Sequence, residues 1–306
     1  MHVSEWPLVV FTILAQMSVG SFVALGVVQV FARRKADVAT VDKLSDPALY
    51  AIGPVMVGGL LASLFHLGNP LNVFNVLNGL GSSWLSREIF FGSAFAVAGA
   101  VFAVCQWRGW LTPLLRQVLA AVTAAIGLVL VLSMSMVYLL DTVPAWNSWT
   151  TPVTFYLTTL LLGALAVGTA FVVEAWVRRT RGKEQDAAAD TLMRSALKGI
   201  GIAAIALLAA EFVVIPTYVL SLANDGSAAA GSSAAALMAG GGAWFVARLV
   251  LVALGAGVLG FFLYRTASKG TEKILAITAV SAFALVLVAE TLGRVLFYNQ
   301  MFHVGI

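Results

Sequence analysis

The sequence predicts an all-α integral membrane protein of eight transmembrane helices, and three observations predict it. Of its 306 residues, 60% are hydrophobic and only 10% charged, whereas a soluble domain carries about 25% charge. Eight apolar runs each supply the ~20 residues that a helix needs to cross the hydrocarbon core. Lysine and arginine fall almost wholly into alternate connections between those runs, the charge asymmetry that fixes membrane orientation.

The runs lie at 7–32, 46–67, 86–106, 117–140, 153–177, 199–222, 244–264 and 274–297. Helix is the only secondary structure that satisfies their backbone groups, because an open strand in lipid leaves N–H and C=O groups unpaired. No connection is long enough for a soluble domain, so residues 1–306 read as a single polytopic membrane domain. An even number of spans allows two four-helix bundles, although no internal repeat marks them. Met1–Glu5 carries no lysine or arginine before the first run, while Arg33, Arg34 and Lys35 follow it. That pattern belongs to a retained first helix and not to a cleaved signal peptide.

One set of connections holds Arg33, Arg34, Lys35, Lys43, Arg108, Arg116, Arg178, Arg179, Arg181, Lys183, Arg194, Lys198, Arg265, Lys269 and Lys273, and the other only Arg87. This split of fifteen to one makes the first set cytoplasmic and puts both termini on the outer, periplasmic side of the inner membrane. Trp6, Trp84, Trp107, Trp110, Trp146, Trp149, Trp176 and Trp244 fall at the segment ends, where interfacial indoles collect. Asn224–Gly242, rich in alanine, glycine and serine, reads as a flexible outer loop. Arg178–Lys198, the longest cytoplasmic connection, reads as partly helical.

Composition also excludes function classes. The net charge of +4 sits in clusters between spans and forms no basic face for nucleic acid. Cys105 is the single cysteine, which rules out an intramolecular disulfide and a cluster held by four thiolates. The three histidines are His2, His66 and His303, and none lies mid-span. Only His66 with His303 offers a pair of haem ligands, near the outer ends. The expectation is a protein with no haem, no iron–sulfur cluster and no other metal site of its own.

Two groups of residues carry candidate chemistry. His66 closes the second span and Glu88 opens the third, joined by a connection short enough to hold both at similar depth. A neutral imidazole and a carboxylate facing one cavity can accept the two protons released when a quinol is oxidised. The structural alternatives are an interfacial histidine at a helix C-terminus and a first-turn carboxylate paired with Arg87. The second group is a possible intramembrane polar network of Glu211, Arg248, Glu290 and Arg294, since ionisable groups within a span are functional candidates by default. Glu290 and Arg294, four residues apart, share a helix face and predict an ion pair. Arg248 has a choice of Glu211 or Glu290, with snorkelling to the interface as the alternative. Pro216 follows Glu211 and frees a backbone carbonyl.

Several of these words resemble the DmsC family, the membrane anchors of dimethyl sulfoxide reductase-type molybdoenzymes. The resemblance rests on His66-Leu67-Gly68-Asn69-Pro70, the Asn75–Asn78 stretch, Ser83-Trp84-Leu85-Ser86-Arg87-Glu88-Ile89 and Asp141-Thr142-Val143-Pro144-Ala145-Trp146. It spans the sequence in length and helix count and is sharpest over 1–155. It implies a haem-free anchor that binds menaquinol near its outer face. Electrons would pass to a four-cluster, ferredoxin-like iron–sulfur subunit and then to a molybdopterin catalytic subunit. His66 and Glu88 match the family's quinol-site histidine and glutamate, and Gly68 its motif glycine; Trp84 and Arg87 would shape the rim. Two rivals remain at this point: a secondary transporter using Glu211, Arg248 and Glu290 at the membrane midplane, and a structural tether without a quinone site.

Overall fold

A computed structural model describes residues 6–64, 76–182 and 187–304. All regular structure in them is helical: α1 (Trp6–Ala32), α2 (Val38–Leu64), α3 (Val76–Gly79), α4 (Trp84–Arg108), α5 (Pro113–Met136), α6 (Thr150–Thr180), α7 (Ala187–Asn224), α8 (Ala228–Ala235), α9 (Gly242–Val252), α10 (Gly260–Lys269) and α11 (Glu272–Asn299). A π-helical turn at Ala253–Leu259 joins α9 to α10, so Gly242–Ser268 is one span. With α1, α2, α4, α5, α6, α7 and α11, it makes eight helices long and apolar enough to cross a membrane.

The spans outrun the apolar runs that locate them. α2 starts eight residues before position 46 and α7 twelve before 199. Hydropathy marks the hydrocarbon core, whereas a helix continues into the interface for as long as side chains there find partners. Asp42 and Asp46 on α2 do so: Arg116 Nη1 lies 3.5 Å from Asp42, and Gln106 Nε2 donates to Asp46 at 3.0 Å. α5 stops at Met136, short of 140, and residues 137–149 turn back into the bundle. Asn224–Gly242 is not the flexible loop its composition predicts, because α8 and a π-helical turn (Ala236–Gly240) occupy it. Ser227 caps α8 by accepting from Ala230 N at 3.1 Å, and Ser233 Oγ reaches the Gln300 carbonyl at 3.0 Å.

Cross-links show which connections share an end. Lys35 Nζ donates to Ser195 Oγ at 3.1 Å, Arg178 Nη2 to the Lys43 carbonyl at 3.1 Å and Arg194 Nη1 to the Gly270 carbonyl at 3.1 Å, while Arg179 pairs with Glu272. These contacts gather the arginine- and lysine-rich connections at one basic end. At the opposite end Val304 N donates to the Thr142 carbonyl at 2.9 Å, and Tyr218 hydrogen-bonds Gln300.

α1 is the most buried span. It packs chiefly on α6 and α2 and also touches α5, α7 and α11. Its closest approach is to α6, where Gly20 faces Thr159 and Gly163 with no side chain between the backbones. A Cβ on Gly20 would collide with the Thr159 carbonyl, and one on Gly163 would overlap the Gly20 backbone. Small residues permit such an approach, and van der Waals packing then replaces the hydrophobic drive that lipid cannot supply. Alanine at Gly20 or Gly163 should cost about 1–3 kcal/mol or more, the scale of overpacking, and lower the midpoint of thermal unfolding in detergent. Alanine at Gly99 on α4, where nothing lies within 4 Å of the added carbon, should leave the midpoint within a degree or so or raise it slightly.

Candidate functional site

Glu88 sits one turn inside the start of α4 and is buried, with 7% of its surface exposed. Ser83 caps that helix, its hydroxyl accepting from Ser86 N at 3.4 Å. Arg87 does not turn toward its neighbour Glu88. Its guanidinium donates to the Leu80 carbonyl at 2.8 Å and the Gly81 carbonyl at 3.0 Å, and stacks over the Trp84 ring at 4.2 Å. Arg87 and Trp84 therefore clamp the connection that leads into α4, while Glu88 faces the interior. His66 and Gly68 lie outside the described residues. His303 is exposed near the C-terminus.

Two tyrosines without a sequence signature lie within electrostatic reach of Glu88. Tyr138, in the turn after α5, shares a 2.9 Å hydroxyl–hydroxyl hydrogen bond with Tyr298 near the end of α11. Burial pushes the Tyr138 hydroxyl well above its ordinary pKa. The Tyr298 hydroxyl and the Glu88 carboxyl add to the shift, and Arg294 opposes it. Tyr138 is thus a neutral hydrogen-bonding group within electrostatic reach of Glu88.

The turn that carries Tyr138 explains the Asp141–Trp146 motif. Val143, Ala145 and Trp146 are buried in the core, and Trp146 stacks on Phe297 with ring centroids 5.4 Å apart and planes at 15°. Its indole N–H donates to the Phe297 carbonyl at 2.8 Å, and its own carbonyl accepts from Thr151 Oγ1 at 2.7 Å. Trp146 is therefore a core residue and not the interfacial indole its position predicts. Burying a ring of this size at a helix end requires a partner for its N–H, and α11 provides one. Trp6, Trp107, Trp110, Trp149, Trp176 and Trp244 are exposed.

The intramembrane charges assemble between α6, α7, α9 and α11. Arg248 pairs with Glu211 and lies 3.8 Å from Glu290, whose other carboxylate oxygen accepts from Thr158 Oγ1 at 2.6 Å. Snorkelling does not describe Arg248, whose side chain is only 12% exposed. The ion pair expected between Glu290 and Arg294 is not the contact that forms. Arg294 instead lies over the Phe155 ring at 3.7 Å and donates to Gln16 Oε1 at 2.9 Å. Gln16 in turn donates to the Phe155 carbonyl at 3.1 Å.

Gly293 accounts for the exchange of partners. A Cβ there would overlap the Arg248 guanidinium, so glycine opens the notch through which Arg248 reaches Glu290. Two arginines and two glutamates leave the group neutral. A cavity of about 90 Å³ adjoins it, lined among others by Thr154, Tyr218, Arg248, Glu290 and Arg294. Arg248 Nε, Glu290 Oε1 and Arg294 Nε have no hydrogen-bond partner among the described residues, and the cavity has room for water to serve them.

The fold and its interior define a class: a multi-pass, all-helical membrane protein whose ionisable groups are held inside the bundle. More narrowly, the protein belongs to the DMSO reductase anchor subunit (DmsC) family, whose sequence model matches residues 1–300. It is 31% identical over 295 residues to the C subunit of the anaerobic dimethyl sulfoxide reductase of Haemophilus influenzae, a match that takes in 96% of this sequence and 94% of that one. Two Escherichia coli relatives of the same enzyme type, YnfH and the C subunit, are each 36% identical to it, over 161 and 181 residues respectively. Those two matches take in 53% and 57% of this sequence and only 55% and 61% of the relatives' lengths.

Arg248→Met should cost about 3–5 kcal/mol, because it leaves two carboxylates facing each other in a buried site. Gly293→Ala should destabilise in the same direction by displacing the guanidinium. In a double-mutant cycle read by thermal unfolding, adding Gly293→Ala to Arg248→Met should cost little more than Arg248→Met alone. Full additivity would mean that Gly293 serves only helix packing.

Proposed function

We propose that this membrane anchor oxidises menaquinol at the end of the bundle where Glu88 lies. The observation that carries the reading is Glu88 itself: a carboxylate kept inside a lipid-embedded protein, with the adjacent Arg87 turned away to the Leu80 and Gly81 carbonyls. A carboxylate in such a place is costly to maintain, and a role as proton acceptor accounts for it. Oxidation of the bound quinol to quinone releases two electrons and two protons. Glu88 takes one proton and His66 the other, acting as general bases. Gly68 lets the backbone approach the ring, and the Arg87–Trp84 clamp fixes the rim. The Tyr138–Tyr298 pair, neutral and within electrostatic reach of Glu88, adds no counter-charge to the site.

The electrons leave the anchor, since the sequence has no mid-span histidine to hold a haem and too few cysteines for an iron–sulfur cluster. They pass to a four-cluster, ferredoxin-like iron–sulfur subunit and then to a molybdopterin subunit that reduces dimethyl sulfoxide or a related oxide. The names of the relatives support this assignment, all three belonging to anaerobic dimethyl sulfoxide reductases. The basic end faces the cytoplasm by the positive-inside rule. Trp6, Val304 and the Glu88 site then lie on the outer side of the inner membrane.

A secondary transporter would centre on Arg248 instead, and the π-helical turn in its span is the feature that favours it, such turns being frequent at functional sites. The mutual pairing of Arg248, Glu211 and Glu290, in a group that is neutral once Arg294 is counted, suits a structural clamp better than a substrate site. Glu88→Gln keeps size and removes the base. In the assembled complex it should lower quinol-dependent turnover by roughly 10²-fold or more while turnover with an artificial dye donor persists. Near-normal quinol oxidation in a well-assembled Glu88→Gln complex would exclude the role.

A further inference from the structure

Two long grooves run down opposite flanks of α1 toward the basic end. One, of about 660 Å³, lies between α1, α6 and α7. The other, of about 610 Å³, lies between α1, α4 and α5. They share a single ridge, Val23, Val27 and Phe31, spaced one helical turn apart; the walls are otherwise mainly apolar, with Gln29, Gln106 and Gln117 beside the arginines of the second groove. Along α5 the second groove extends from Arg116 to Leu128, about 18 Å at 1.5 Å per residue. That length is close to the ~15 Å of hydrocarbon in one leaflet.

Cations stand at the same end of both grooves. Lys35 closes the first, and Arg33 and Arg116 close the second. Arg33 Nε and Arg116 Nε are buried without a hydrogen-bond partner among the described residues. Arg116 is not spent by its neighbours. It gives one nitrogen to Gln106 at 2.8 Å and to Asp42 at 3.5 Å, and Asp42 does not line the groove. Apolar walls of leaflet length ending in guanidinium N–H groups are complementary to an amphiphile with an anionic head, as basic pockets between transmembrane helices are for acidic lipids. A buried N–H also gains most from a charged acceptor, since leaving it unpaired carries the full desolvation cost.

We propose that this protein binds an anionic phospholipid of the leaflet at the basic end, its two acyl tails straddling the Val23–Phe31 ridge and its phosphate held by Arg33 and Arg116 with Lys35 beside them. The site is remote from Glu88 and stands whether or not quinol is oxidised there. It also covers apolar surface that α1 otherwise presents beside its charged terminus.

The test uses the full-length protein, stripped of lipid in detergent and titrated with phosphatidylglycerol, phosphatidylethanolamine or inorganic phosphate while thermal unfolding is followed. Phosphatidylglycerol should raise the unfolding midpoint at concentrations where the zwitterionic lipid and free phosphate do not. Arg33→Gln should weaken the phosphatidylglycerol effect about fivefold, the contribution of one basic residue beside an anionic lipid. Arg181→Gln, which removes the same charge from an exposed position at the basic end lining neither groove, should leave it intact. Val27→Trp should abolish it by filling the ridge without touching charge. Equal stabilisation by both lipids, an effect reproduced by phosphate alone, or equal losses in Arg33→Gln and Arg181→Gln would overturn the proposal.

Discussion

The crossing of α1 over α6 at Gly20 and Gly163 is the constraint on which the rest of the interior depends. With no side chain at either position, the two backbones meet directly. One turn earlier on α1, Gln16 thereby comes within hydrogen-bond reach of the Phe155 carbonyl on α6 and of Arg294 on α11. Three spans drawn from both halves of the sequence are tied at that point. A methyl group on either glycine would separate the helices and, with them, the amide, the carbonyl and the guanidinium.

What that crossing holds together is a polar interior in a low-dielectric surrounding, where each unsatisfied group costs far more than in water. The solution differs between the two regions. Around Arg248, opposite charges cancel locally and the notch at Gly293 lets one guanidinium serve two carboxylates. Around Glu88 the described residues pair no cation with the carboxylate: Arg87 is drawn off to the Leu80 and Gly81 carbonyls, and Tyr138 and Tyr298 bring only hydroxyls. Charges that cancel are stable but inert, whereas a carboxylate without a counter-charge is poised to take a proton. This contrast is why the proposed chemistry is assigned to the Glu88 end and the structural role to the Arg248 cluster.

The eight spans were legible in the sequence because apolar run length is set by membrane thickness, and the described residues hold eight such helices. The helix starts at Val38 and Ala187 were not, because the polar stretches that follow them find distant partners: Arg116 and Gln106 for Asp42 and Asp46, and Gly270 and Lys35 for Arg194 and Ser195. Family words pointed to Glu88, and charge within a span pointed to Arg248 and Glu211. The Glu290–Arg294 spacing misled because i,i+4 proximity counts only when neither residue has a better partner. Gln16 lies 278 positions from Arg294, and Tyr138 lies 160 from Tyr298. No local pattern distinguishes a tyrosine at a helix end that faces lipid from one that meets its partner across the bundle. Trp146 was misplaced for the same reason, its hydrogen-bond partner being a backbone carbonyl on the last helix.

Photo-crosslinking measures most directly whether quinol binds beside Glu88, as proposed, or beside Arg248. A menaquinone analogue carrying a photoreactive group on its ring, irradiated with the assembled complex, should modify the peptide containing Trp84–Phe91 or the turn containing Tyr138. Excess menaquinol should suppress that labelling. Competed labelling confined to the peptides around Arg248 and Tyr218, or no competed labelling anywhere in this subunit, would contradict the account.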